Sequence, residues 1–159
     1  METKRILFVC LGNICRSPAA ETIFGKLASE SGLTVKVDSA GTSGWHEGEK
    51  ADPRMRHFAK ERGYNITSIA RKFRPTDFDD FDMIIAMDDS NYEHLINLAN
   101  NSGHKNKVSR MAEYIREKGF NEIPDPYYGG DEGFTLVIDL LEYGSKKLIA
   151  DLKKKTNDK

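Results

Sequence analysis

One stretch near the amino terminus decides the fold: Ile6-Leu7-Phe8-Val9-Cys10-Leu11-Gly12-Asn13-Ile14-Cys15-Arg16-Ser17-Pro18. The four apolar residues at its start predict a short strand buried on both faces, which is typical of a parallel sheet covered by helices. Ser17 followed by Pro18 predicts a helix start, with Ser as the N-cap and Pro at the first helical position. The stretch therefore predicts a strand, a loop and a helix, with a cysteine and an arginine on the loop.

This loop combines features that suit a phosphate group. A helix N-terminus presents free N–H groups and a positive dipole end, which favour an anion and lower the pKa of a nearby thiol. Gly12 and Asn13 tolerate the backbone turns that aim N–H groups inward, and the Arg16 guanidinium can bind two phosphate oxygens at once. A lone cysteine is usually a buried, inert thiol, but these neighbours favour Cys10 as a nucleophile. We predict that the phosphate is bound by Leu11, Gly12, Asn13, Ile14, Cys15, Arg16 and Ser17.

The composition excludes several classes of protein. The 159 residues predict one domain spanning residues 1–159. With 24 basic and 25 acidic residues and a net charge of −1, we expect no nucleic-acid or membrane partner. No run of transmembrane length and no secretory leader is present, which predicts a cytoplasmic location.

Cysteine and histidine usage argues against a metal site. Two cysteines are too few for a disulfide scaffold, and the four histidines have no paired metal-ligand spacing. We expect neither a metal nor another cofactor. The histidines are His46, His57, His94 and His104.

Apolar runs alternate with amphipathic stretches, which predicts an α/β fold with an open parallel sheet built from right-handed βαβ units. The predicted strands cover residues 4–9, 35–40, 83–87 and 107–109. The predicted helices cover residues 18–31, 53–63, a segment capped by residues 88–90, 111–118 and 132–152. Residues 100–105 are expected to form a polar loop and residues 153–159 a frayed tail.

Three polar positions should meet where the strands end. In open parallel sheets, ligands bind at the carboxyl ends of the strands. Cys10 follows the first strand, Ser39 closes the second and Asp88 follows the third. Asp88 is expected either to orient Arg16 or to cap the following helix.

The proton donor of the reaction is expected on a second loop. Asp125 lies between two prolines, so its loop is stiff, although an ordinary Asp-Pro turn explains the same residues. A general acid contributes about 10²–10⁴-fold to catalysis. His46, His57 and Asp88 are the competing candidates.

Three aromatic residues are expected beside the loop. Trp45, Tyr127 and Tyr128 fall on two loops at the same edge of the sheet and could form a slot for a phenyl ring. The alternative is that they fill the core or the surface.

A thiolate attack on phosphorus would form a phosphocysteine, while Ser17 would stabilise the Cys10 sulfur as a leaving group.

Four motifs in order resemble the low-molecular-weight protein tyrosine phosphatase family: VCLGNICRSP, DSAGTSGW, MDDSN and DPYYGG. The resemblance implies a flavodoxin-like fold with a four-stranded parallel sheet, helices on both faces, and a metal-free, two-step phosphatase. It implies Cys10 as the nucleophile, Arg16 as the phosphate ligand and Asp125 as the acid and then the base.

The resemblance also implies supporting roles. Asn13, Ser17 and Ser39 match the polar network that holds the loop, and Trp45, Tyr127 and Tyr128 match the wall of the pocket. Cys15 matches a second loop cysteine that can form a reversible disulfide with Cys10. One position departs from the family, because Ser68 stands where a histidine is often found. We expect Ser68 to act through water or to leave Asn13 supported by Ser39 alone.

The predicted function is hydrolysis of phosphotyrosine in proteins and of small aryl phosphates, with acid phosphatase activity. Phosphate and other oxyanions should inhibit, and the protein should be a monomer. Arsenate reductases with this loop need further cysteines, which the chain lacks after Cys15, and protein-arginine phosphatases carry Thr where Ile14 stands here. A phosphoryl-binding module without catalysis and a redox protein based on the two cysteines are the remaining alternatives.

Overall fold

The computed structural model describes residues 3–127 and 129–157. Four parallel strands form one open sheet in the order β2-β1-β3-β4. The strands are β1 (Lys4–Cys10), β2 (Val35–Gly41), β3 (Met83–Ala86) and β4 (Val108–Arg110). The predicted α/β fold with a four-stranded parallel sheet is confirmed.

The register of the sheet places the ends of the inner strands side by side. Phe8 pairs with Ser39 on one side and with Ile85 on the other. β2 lies on one side of β1 and β3 lies on the other. The order in which strands are added to the sheet therefore reverses at β1. Ligand sites of open α/β sheets lie at this reversal, beyond the carboxyl ends of the strands. Cys10 is the last residue of β1.

Helices cover both faces of the sheet, as predicted. They are α1 (Arg16–Glu30), α2 (Pro53–Glu61), α3 (Asp77–Asp80), α4 (Asp89–Leu98), α5 (Ser102–Lys107) and α6 (Asp131–Asn157). Two 3-10 turns cover Met111–Tyr114 and Arg116–Lys118, where the sequence predicts one short helix. Alternate residues of a strand point to opposite faces. Accordingly, Ile6 and Phe8 pack in the core beneath α1 and α6, whereas Leu7 and Val9 pack in the core with Phe78 and Leu95.

The start of α1 differs from the prediction. The helix begins at Arg16, and its N-cap position is Cys15, which makes no side-chain capping bond. Ser17 is therefore not the cap, and Pro18 is the third helical residue. The Ser17 hydroxyl bonds to side chains of the preceding loop instead, so this serine belongs to the site rather than to the helix end.

Other helices also differ from the prediction. Residues 102–107 form α5 where a polar loop was expected, and α3 lies in a segment for which no helix was predicted. The last helix reaches Asn157, so the prediction of a frayed tail from residue 153 is wrong over residues 153–157. In the described ranges, no helix combines the length and apolarity that a membrane span requires.

Candidate active site

The loop after β1 is fixed in a strained but tolerated conformation. Asn13 has a φ of 58°, in the left-handed region that asparagine visits more readily than most residues. The carbonyl groups of Cys10 and Leu11 accept from the N–H groups of Thr42 and Ser43 at 2.9 and 3.0 Å. The loop is thus anchored by its carbonyl oxygens, which leaves its N–H groups for an anion.

A glycine is required where β2 passes beneath this loop. A Cβ added to Gly41 would lie 2.8 Å from the backbone oxygen of Leu11 and 3.2 Å from the Cβ of Asn13. Real Cβ atoms do not approach backbone oxygens so closely. Gly41 therefore allows the end of β2 to contact the loop directly.

Cys10 lies at the base of the loop and is buried. Its Sγ is 2.9 Å from the Oγ of Ser17, within hydrogen-bonding distance. The contact predicted between these two side chains is present. A hydroxyl at this position can donate to a thiolate sulfur and stabilise it.

Arg16 is almost completely buried, with 3% of its surface exposed. Its Nη1 donates to Oδ2 of Asp88 at 2.7 Å and to the carbonyl oxygen of Ile123 at 3.1 Å. Burial acts to lower the pKa of Arg16, but the neighbouring Cys10 and Asp88 outweigh it and hold the pKa above its ordinary value. The guanidinium is thus a fixed positive charge beside the cysteine.

Asp88 has both of the roles that the sequence left open. Its Oδ1 accepts from the N–H of Asn91 and caps α4, while its Oδ2 accepts from Arg16. One carboxylate therefore sets the start of α4 and the orientation of the arginine.

Asn13 is the centre of a buried polar network. Its Nδ2 donates to the hydroxyls of Ser17 and Ser39 at 2.8 and 2.9 Å, and its Oδ1 accepts from the backbone N–H of Arg71 at 2.9 Å. Ser39 is therefore not the sole partner of Asn13, which excludes one of the two alternatives given for Ser68. Ser39 itself donates to Oε1 of Glu21 at 2.6 Å.

The sequence reasoning missed Glu21. It lies on α1 one turn after Ser17, between residues of the apolar stripe that faces the core. A carboxylate on the helix beside buried Ala20 and Ile23 is the signal that could have revealed it, because a shielded carboxylate needs a partner.

The loops enclose a small cavity of about 70 Å³ at the carboxyl edge of the sheet. It brings together most of the residues predicted for the site. The lining consists of Cys10, Leu11, Gly12, Ile14, Cys15, Arg16, Trp45, His46, Asp125 and Tyr127. Trp45 is 78% exposed and forms part of the rim rather than a deep wall. Tyr128 lies outside the described residues.

Two histidines that compete with Asp125 as candidate proton donors each contact a glutamate. His46 lines the cavity, and its Nδ1 is 2.9 Å from Oε2 of Glu49. His57 lies on α2 and contacts Glu61, with 2.7 Å between Nε2 and Oε1. Within the described residues, His57 is therefore not part of the cavity wall.

Asp125 faces the arginine from the opposite loop. Its Oδ2 is 3.7 Å from Nη2 of Arg16, and its side chain is 40% exposed. Its Oδ1 accepts from the N–H of Tyr127, so the ordinary Asp-Pro turn is also present. The turn holds the carboxyl group at the mouth of the cavity, where it can reach both a bound ligand and water.

Arg54 on α2 connects the two loops. Its Nη2 donates to the carbonyl oxygen of Tyr127 at 2.8 Å and to Asp52 at 3.2 Å. Asp52 caps α2, and its backbone N–H donates to the carbonyl oxygen of Ile14. The start of α2 therefore contacts both the loop after β1 and the loop of Asp125.

Cys10 and Cys15 are both free thiols, and both are buried. Burial raises the pKa of Cys15 far above its ordinary value, and the nearby carboxylate of Asp52 adds to the effect. The Cys15 thiol is therefore neutral in the folded protein at neutral pH.

Known proteins resemble this chain along most of its length. The sequence model of one protein family, low molecular weight phosphotyrosine protein phosphatase, matches residues 5–158 of this chain. A putative low molecular weight protein-tyrosine-phosphatase from Synechocystis is 47% identical over 152 residues, covering 94% of this chain and 97% of the relative.

Solved structures show the same fold. A crystal structure of a protein tyrosine phosphatase from Entamoeba histolytica, with Hepes in its active site, has a TM-score of 0.93 and 45% identity. The match covers 97% of this chain and 99% of that one. An arginine phosphatase from Drosophila has a TM-score of 0.88 and 33% identity, covering 93% of this chain and 97% of its own.

Proposed function

The chain belongs to the low molecular weight phosphotyrosine protein phosphatase family and is a protein-tyrosine phosphatase, and from this premise we infer how its own residues perform the reaction. We propose that it hydrolyses phosphotyrosine in proteins, and small aryl phosphates, through a phosphocysteine at Cys10. The observation that carries this proposal is one cavity of about 70 Å³ lined by Cys10, Arg16 and Asp125.

The first step transfers the phosphoryl group to sulfur. The Cys10 thiolate attacks phosphorus, an S–P bond forms, and the P–O bond to the tyrosine oxygen breaks. Asp125, in its protonated form, gives its proton to the departing oxygen. The guanidinium of Arg16 and the N–H groups of the loop stabilise the charge on the equatorial oxygens.

The second step releases phosphate. A water molecule attacks the phosphorus of the phosphocysteine while Asp125, now ionised, accepts a proton from it. The S–P bond breaks, and the electron pair returns to the sulfur of Cys10. The hydroxyl of Ser17, 2.9 Å from this sulfur, stabilises the thiolate as it leaves. Because phosphate is the product, phosphate and similar oxyanions compete with substrate.

The walls of the cavity support an aromatic substrate. Ile14 and Tyr127 line it, and Trp45 lies at its rim. The aliphatic side chain of Ile14 favours an apolar ring over a charged guanidinium group, and a phenyl ring can pack against the aromatic side chains. The similarity to an arginine phosphatase from Drosophila makes phosphoarginine the second candidate substrate.

A comparison of matched peptides tests the substrate class. Peptides of one sequence carrying phosphotyrosine, phosphoserine or phosphoarginine would be compared by release of inorganic phosphate. We expect kcat/KM to be highest for phosphotyrosine. A higher kcat/KM for phosphoarginine would assign the protein to the second candidate function.

A further inference from the structure

A carboxyl group outside the cavity ends the hydrogen-bond network of the loop. Glu21 lies on α1, mostly shielded from solvent, and its Oε1 is 2.6 Å from the Ser39 hydroxyl. The charged groups around it are Asp38 and Arg71. Burial raises the pKa of Glu21, and the Ser39 hydrogen bond opposes that change. A partly buried acceptor at this distance accounts for where the hydroxyl hydrogen of Ser39 goes.

The direction of each hydrogen bond in the network follows from chemistry. The Oδ1 of Asn13 accepts from the N–H of Arg71, which fixes the orientation of the amide group. Its Nδ2 therefore points to the two serines and uses its two hydrogens on Ser17 and Ser39. Both hydroxyl oxygens thus act as acceptors, and each still has its own hydrogen to donate.

The two remaining hydrogens have one close acceptor each. Ser39 donates to Glu21, and Ser17 has Sγ of Cys10 at 2.9 Å. If the acceptor at Glu21 were absent, the Ser39 hydroxyl would lose its partner and could turn away from Asn13. The amide of Asn13 would then be held less firmly, and so would the hydroxyl of Ser17.

We propose that Glu21 is a positioning residue for the reaction, the terminal acceptor that orients Ser39, Asn13 and Ser17 so that Ser17 donates to the sulfur of Cys10. Glu21 touches neither the substrate nor the reacting atoms. The proposal rests on the proposed function only in that Cys10 is taken as the nucleophile. It predicts that Glu21 increases the reactivity of Cys10 toward an alkylating reagent.

Electrostatics and hydrogen bonding predict opposite effects of replacing Glu21. Removing a negative charge near a thiolate favours the thiolate, because like charges repel. Removing the terminal acceptor disfavours it, because Ser17 is no longer held as a donor to sulfur. The sign of the change therefore separates the two explanations. The charged and titratable groups that line the cavity with Cys10 are unchanged in every variant of this test; they are Cys15, Arg16, His46 and Asp125.

The experiment measures alkylation of Cys10 by iodoacetamide between mildly acidic and neutral pH, with the modified cysteine located by mass spectrometry. In Glu21→Leu, which has no acceptor, we expect alkylation of Cys10 at the acidic end of this pH range to slow. The expected factor is about threefold to tenfold, the size of one net hydrogen bond. In Glu21→Gln, which keeps an acceptor oxygen, we expect a rate within about twofold of the unmodified protein. Glu30→Gln, an exposed site on the same helix, is the matched control.

A double variant tests whether the effect passes through Ser39. In a Ser39→Ala background, Glu21→Leu should slow alkylation by less than about twofold, because the intermediate hydroxyl is already gone. Circular dichroism and the melting temperature establish that each variant is folded. If the leucine variant does not fold, Glu21→Ala serves in its place, since Glu21 borders an open groove also lined by Gly25 and Val37.

Two outcomes would overturn the proposal. One is a folded Glu21→Leu variant whose Cys10 alkylates at the same rate or faster. The other is a Glu21→Gln variant slowed as much as Glu21→Leu. Both readouts report on the thiol and not on phosphate release, so either result would leave the proposed phosphatase reaction intact.

Discussion

The two loops that form the cavity are held in different ways. The loop at residues 11–15 is largely buried, and hydrogen bonds tie its Asn13 side chain to the hydroxyls of Ser17 and Ser39 and to the backbone N–H of residue 71. The loop at residues 123–127 is partly exposed, and the contacts of the Arg54 guanidinium and a turn at Asp125 hold it. The difference indicates that the proposed phosphate-binding loop and nucleophile are built into the core, whereas the proposed proton donor is held at the surface.

Replacing the nucleophile should produce the largest effect and the clearest separation of the two loops. We expect Cys10→Ser to lower turnover of an aryl phosphate by at least about a thousandfold, because the hydroxyl is a much weaker nucleophile than a thiolate. Binding of phosphate should persist, since the loop and Arg16 remain. Calorimetry with inorganic phosphate measures binding, and full residual turnover would remove Cys10 from the mechanism.

Replacing the proton donor should produce the next largest effect, and only for some substrates. We expect Asp125→Asn to slow phosphotyrosine hydrolysis by about 10²–10⁴-fold. Aryl phosphates with very acidic leaving groups should be affected far less, because they need no proton. Kinetics over a series of leaving groups would test this, and equal losses across the series would exclude Asp125 as the acid.

The hydrogen bond between α2 and the loop at residues 123–127 gives a prediction with a smaller expected effect. We expect Arg54→Met to reduce kcat for poor leaving groups by about threefold to tenfold, because the hydrogen bond from Arg54 to the Tyr127 carbonyl is lost. Binding of phosphate should change little, since the phosphate loop keeps its own network. Arg62→Met is the matched control, because Arg62 pairs with Asp139 and Glu142 on α6 instead.

A loss in kcat that is the same for good and poor leaving groups would contradict the role assigned to Arg54. A loss of the same size in Arg62→Met would show that the effect comes from the stability of α2 and not from the loop.

The second cysteine gives the smallest prediction. Because burial raises the pKa of Cys15, its thiol should remain mostly unmodified while Cys10 reacts with iodoacetamide at neutral pH. After mild peroxide treatment, the predicted Cys10–Cys15 disulfide should form faster as pH rises, since the Cys15 thiolate becomes more abundant. Peptide mapping by mass spectrometry detects both events, and sulfinic acid at Cys10 without a disulfide would count against the pairing.

The sequence predicts those features of the fold and the site that are determined by residues close together in the chain. A buried strand, a turn-tolerant Gly12-Asn13 pair and an arginine six residues after the cysteine are contiguous, so spacing reveals them. Asp125 can be found for a similar reason, because its flanking prolines mark a stiff loop.

The parts that the sequence does not predict depend on contacts made only in the folded chain. The acceptor role of Glu21 needs Ser39 from β2, and the connecting role of Arg54 needs the carbonyl of Tyr127. Helix α5 has no buried residues, and its contacts with Phe78 stabilise it through His104 stacking at 4.8 Å and a bond from Lys107. Hydrophobic periodicity therefore could not reveal this helix.

The position of Trp45 gives the protein an internal optical probe. The chain has one tryptophan, and that residue is 78% exposed at the rim of the cavity. Its fluorescence therefore reports the solvent environment of one loop rather than an average over the molecule. An aromatic ligand that stacks against the indole would shift the emission maximum to shorter wavelength, so binding could be titrated without a label or turnover.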